Sequence, residues 1–135
     1  MLLTDEWILT KNKGTMEILT HTVNDTRIAE ITSGSILIHS PEEGLDLLGN
    51  IYYQGFDKMI IHERCITPEF FDLKNGIAGE LLQKFSNYRM PLAIVGDFSR
   101  HVSNSIKDFI RESNQRKQVI FVDSVDEAIR IFSGK

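Results

Sequence analysis

Phe70-Phe71-Asp72-Leu73-Lys74-Asn75-Gly76-Ile77-Ala78-Gly79-Glu80-Leu81-Leu82-Gln83-Lys84, continued through Tyr88 to Leu92-Ala93-Ile94-Val95-Gly96-Asp97, reads as a loop, a helix, a short connection and a buried strand ending in an acid. Ile77, Ala78, Leu81, Leu82, Phe85 and Tyr88 recur at helical spacing and form one apolar face, with Asp72 placed to cap the helix. Met90-Pro91 stops it, because a residue before proline is steered out of helical backbone. The four apolar residues that follow have the pattern of an interior strand. On the other side of the helix, Gly76, Gly79, Glu80, Gln83 and Asn87 fall within one sector at about 100° per residue. An exposed helical glycine costs roughly 1 kcal/mol against alanine. Two of them on a polar face predict a surface approached by another backbone or a ligand; a packed N-terminal arm or a weak first turn would account for them equally.

Working towards the N-terminus, Lys58 to Glu63 is a strand whose tip emerges at the surface. Before it, Ser40-Pro41-Glu42-Glu43 is a capping box with proline at the first helical position, and the helix should run to about Tyr53. Its stripe is Leu45, Leu48 and Tyr52, flanked by Leu47 and Ile51, with Gly55 placed to end it. Glu17 to Val23 and Arg27 to Thr32 are β-type segments joined by Asn24-Asp25-Thr26, a hairpin signal. Ser35 to His39 is expected to be a third extended segment. Residues 1–15 read as an N-terminal extension, with Lys11-Asn12-Lys13-Gly14 as a linker before regular structure begins: either a frayed end or an arm that docks Trp7 and Ile8 on a partner.

Towards the C-terminus, Ser103 caps a helix with the stripe Ile106, Phe109 and Ile110, ended by Asn114-Gln115. Gln118 to Asp123 is another buried strand ending in an acid. Ser124 with Glu127 forms a capping box before a last helix through Ala128, Ile129 and Phe132. This order predicts one α/β domain over residues 16–135: a mixed, mostly parallel sheet with an N-terminal β-hairpin and about four covering helices. Right-handed crossovers bring the ends of the parallel strands to one edge, so Glu63, Asp97, Asp123 and the Asp72 to Gly76 loop should gather there.

Size and composition narrow the function. A chain of 135 residues fits one core, and its 41% hydrophobic and 25% charged residues are ordinary for a globular protein. No apolar run is long enough for a membrane span, and the single cysteine, Cys65, cannot form an internal disulfide, so a cytoplasmic home and no membrane partner are expected. A formal net charge of −4 and a short Arg116-Lys117 basic cluster argue against nucleic acid.

Residue chemistry excludes more than it assigns. Gly76-Ile77-Ala78-Gly79 lacks the Lys-Ser/Thr signature of a phosphate loop and lies inside the helix instead of before it. The acids at the strand ends could bind a divalent cation through oxygen, but acids there also serve as caps. One cysteine and four scattered histidines lack zinc-ligand spacing. Cys65 near His62, and Ser99 near His101, do not make a triad without an orienting third group. No cofactor, metal site or catalytic residue is assigned.

The quoted stretch, with Asn87-Tyr88-Arg89, Ala93 to Ser99 and Asp108-Phe109-Ile110-Arg111-Glu112-Ser113-Asn114, resembles a small bacterial family known as domain of unknown function 4180, from Met16 to the C-terminus. That family brings no activity with it. The element order is also similar to that of STAS domains, the anti-sigma factor antagonist fold, in which a loop of the form Asp-Ser-Ser-Gly carries a phosphorylatable serine. The matching segment here is Asp72-Leu73-Lys74-Asn75-Gly76, one residue longer, and asparagine cannot be phosphorylated. The expected function is a binding or regulatory module that takes a protein partner or small ligand through Asp72, Lys74, Asn75, Gly76, Gly79, Glu80, Gln83, Asp97 and Ser99. The alternative is a small enzyme, metal-assisted, using Glu63, Asp97 and Asp123. A homo-oligomer is compatible with the sequence.

Overall fold

The computed structural model describes residues 6–11, 14–101 and 103–134, with the backbone alone described up to Thr15. Six strands form one sheet whose spatial order follows the chain: β1 (Glu6–Lys11), β2 (Gly14–Val23), β3 (Thr26–Ser33), β4 (Lys58–His62), β5 (Leu92–Val95) and β6 (Val119–Val122). The first two pairings are antiparallel and the last three parallel. Among the described residues, regular structure is thus already present at Glu6–Lys11, ahead of the expected linker, because Gly14 and Thr15 lengthen β2 and give β1 an edge to pair with. The docking expected of Trp7 and Ile8 concerns side chains outside the described residues.

The β2–β3 hairpin turns through Asn24 and Asp25, both at positive φ (51° and 68°), the left-handed pair that matches strand twist. The four helices are α1 (Pro41–Tyr53), α2 (Ile77–Asn87), α3 (Asn104–Arg116) and α4 (Val125–Phe132). Ser40, Ser103 and Ser124 each accept a hydrogen bond from the amide three residues on, as their sequence contexts require. At the first of these, the Glu43 carboxylate reaches back to His39 N at 2.7 Å.

Because β3 to β6 advance steadily in one direction, right-handed crossovers place α1, α2 and α3 on the same face. Alternate strand residues confirm this: Met59, Ile61, Leu92, Ile94 and Phe121 face the main core with Leu48, Leu81 and Phe85. Ile60, Ala93, Val95, Ile120 and Val122 face the other way, under Ala128 and Phe132 of α4.

Four expectations change. The α1 stripe is Gly44, Leu47, Leu48 and Ile51, whereas Tyr52 is 55% exposed. A methyl group on Gly44 would lie inside contact distance of Leu81 Cδ1, so the glycine sets the close packing of α1 on α2. Ser35 to His39 is not a strand: Leu37 and Ile38 both donate to the Cys65 carbonyl, at 2.8 and 3.1 Å, and only Ile38 forms a bridge, with Ile66. Asn114 does not end α3, which continues to Arg116 and closes on Lys117 at φ 63°. Gly76 precedes α2 as its left-handed cap instead of lying within it.

Candidate functional site

Three connections meet over the carboxyl ends of the parallel strands: residues 34–40, 63–76 and 96–101. The chain leaves β4 in a tight turn, Glu63–Cys65, that carries the Glu63 side chain across Gly96. There the carboxylate accepts hydrogen bonds from Arg100 at 2.8 Å and His101 at 3.2 Å, and is left 14% exposed. Because a carboxylate only accepts, His101 donates through Nε2. Its ring stacks on Phe71 at 4.2 Å with 19° between planes. A cavity of about 320 Å³ opens beside this group, walled by Ile36, Ile66, Pro68 and Phe71 and rimmed by charged side chains.

The Asp72 to Gly76 loop is built by its own polar groups. Asp72 caps the turn Leu73–Asn75 by accepting from Lys74 N at 3.3 Å. Asn75 Oδ1 accepts from Ile77 N at 2.9 Å while its amide donates to the Glu69 carbonyl at 2.8 Å, so Asn75 both starts α2 and ties it to the preceding turn. Gly76 turns at φ 80°, where a side chain would be strained.

Along α2, Gly79, Glu80 and Gln83 are exposed. A methyl group on Gly79 would meet nothing within 4 Å. Gly79 and Gln83 border a groove of about 280 Å³ between α2 and α3, floored by Leu82, Phe109 and Val119. Glu80 lies 3.9 Å from Lys84, and Gln83 donates to Asn87 at 2.9 Å.

Asp97 and Ser99 lie apart from this face. Asp97 accepts from the Ser99 amide at 3.1 Å and its hydroxyl at 2.6 Å, and these two bonds, the hydroxyl's first, hold its carboxyl below the ordinary range. Asp97 and Asp123 border a separate cavity of about 1040 Å³ at the ends of β5 and β6, while Glu63 lines the smaller one beside Phe71. The three acids thus do not converge, and among the described residues no three His, Cys, Asp or Glu side chains are arranged to hold a metal ion. Cys65 is buried and donates weakly to the Ser33 carbonyl, and burial pushes its thiol up.

Arg100, His101 and Phe71 had no sequence signal of a shared site, since the bonds to Glu63 span 37 and 38 positions. A further, half-buried group likewise has no sequence signal. His21 and His62, from β2 and β4, both donate through Nε2 to Glu30 on β3, at 2.8 and 3.0 Å. Period-two alternation places these three on the α4 side of the sheet, but nothing in the sequence shows which strands are neighbours.

No curated protein and no solved structure matches the chain. One family profile does, from the hairpin turn to the end of α4, over residues 23–132, and the chain belongs to that family: a domain of unknown function (DUF4180).

Proposed function

We propose that the chain is a STAS-like binding or regulatory module of the cytoplasm that takes a protein partner or small ligand through its 72–83 loop and helix face. The carrying observation is Gly79: an exposed helical glycine, open above, at the border of a groove with an apolar floor. Local helix energetics disfavour glycine there by roughly 1 kcal/mol against alanine. Close approach of a bound group supplies a reason for it. Gln83, Ser86, Glu112 and Arg116 add polar groups around that floor, the mix by which ligand sites fix orientation.

The element order from β2 onwards supports the STAS-like reading. Asn75, at the place of the phosphorylatable serine, is engaged in the turn, so regulation here acts through occupancy of the groove. A single cysteine supports the cytoplasmic setting, and among the described residues no helix is long and apolar enough to cross a membrane.

The test compares what co-purifies with wild-type protein, Gly79→Ala and Gly79→Trp, read by native mass spectrometry and pull-down. Gly79→Trp should lose the bound species with an unchanged circular dichroism spectrum, and Gly79→Ala should weaken its recovery, since a methyl there meets only the bound group. Equal recovery by Gly79→Trp would remove the reading.

A further inference from the structure

The edge cavity beside Glu63 is separate from the α2–α3 groove, and its walls and rim differ in chemistry. Ile36, Ile66, Pro68 and Phe71 make an apolar wall, supplied by the connections after β3 and β4. The rim carries Arg64, Arg100 and His101 against a single acid, Glu63. That acid is already engaged, because its Oε2 accepts from both Arg100 and His101.

Arg64 is exposed and has no hydrogen-bond or ion-pair partner among the described residues. Arg100 is directed by two bonds, Nη2 to Glu63 and Nε to the Asp97 carbonyl at 3.2 Å, and its side chain remains 64% exposed. Two arginines therefore line a cavity whose one acid, Glu63, is bonded to Arg100 and His101, in a molecule whose formal net charge is −4. A volume of about 320 Å³ is at the lower end of small-ligand sites.

From this we infer that the cavity binds a small monocarboxylic acid with an apolar, planar body. The carboxylate lies against Arg64 and Arg100, whose planar forks match its two oxygens. The body lies along Phe71 and the aliphatic wall. Glu63 does not read the ligand; it positions Arg100 and His101.

Benzoate is the probe. It is titrated at fixed ionic strength into isotope-labelled protein, with signals followed for the 63–66 amides, the His101 ring and the arginine Nε–H groups. Benzamide serves as the neutral isostere, and inorganic phosphate as an anion without an apolar body. Benzoate should give saturable shifts, at least tenfold tighter than either control, and Arg64→Gln should weaken it tenfold with an unchanged melting temperature. No saturable shift with benzoate, equal binding of benzamide or phosphate, or indifference to Arg64→Gln would each overturn the inference. Gly79→Trp should leave the titration unchanged, so this inference and the α2–α3 reading succeed or fail separately.

Discussion

At position 96 even an alanine would place its Cβ 2.7 Å from Glu63 Cβ, too close for two carbons. Glu63 Oε1 is nearer still and could swing aside, but the Cβ is fixed to the backbone, so relief requires the turn after β4 to move. Gly96→Ala should cost about 1–3 kcal/mol, the range for overpacking. It should also separate Glu63 from Arg100 and His101, visible as a lower urea midpoint and altered His101 ring signals. Glu30 makes a different prediction. Its carboxyl lies below the ordinary value of 4.5, first through the bond from His62, against desolvation, with His21 adding to the lowering. A carboxyl depressed by folding contributes stability that is complete above its unfolded value and lost as pH falls through the folded one. Stability should therefore decline below about pH 4.5. In Glu30→Gln that acid decline should be shallower, measured by urea unfolding at several pH values; an identical pH profile would refute the assignment.

Among the elements, α2 and α3 carry devices of opposite kind. Gly79 in α2 weakens its helix where a methyl group would fit freely, so Gly79→Ala should stabilise by about 1 kcal/mol, a few degrees in melting temperature for a chain of this size. A loss of stability would mean that position 79 is structurally constrained. In α3, Ser113 donates to the Val119 carbonyl, and the Asn114 side chain accepts from Phe121 N at 2.7 Å and donates to its carbonyl at 3.3 Å. These bonds satisfy backbone groups on the outer edge of β6, which would otherwise offer itself to another chain. Asn114→Ala should cost about 1–3 kcal/mol and favour concentration-dependent association, checked by denaturation and light scattering. The contrast shows what the sequence could disclose. Serine caps and the Asn24-Asp25 turn act within a few residues and were legible. Asn114 carries the same chemistry as a helix stop, and only the position of β6 beside it reveals that its amide pairs with a strand.

For the whole molecule, the decisive feature is the unbroken strand order. It puts the helices of all three crossovers on one face and leaves the other to α4, the helix after the last strand. Continuous apolar runs, with helices between them, made a largely parallel sheet covered by helices legible, but no residue pattern states that neighbours in sequence are neighbours in the sheet. The same order explains the unequal coverage of the second face. Where α4 reaches, β4 to β6 present Ile60, Ala93, Val95, Ile120 and Val122; on β2 and β3 that face carries Glu17, His21, Glu30 and Thr32 beside apolar residues. Half the sheet can thus do without a helix, and the other half depends on one helix of eight residues. Phe132 anchors it, buried beneath the Lys58 ammonium, which sits 5.2 Å from the ring centre and donates to the Phe132 carbonyl at 2.8 Å. Phe132→Ala should cost about 3–5 kcal/mol, a large share of the roughly 5–15 kcal/mol available to a domain. Removing residues 125–135 should uncover the second core entirely, giving a chain that binds a hydrophobic dye and has lost its cooperative urea transition. If that truncated chain still unfolded cooperatively, with the wild-type midpoint, the second core would not be integral to the fold.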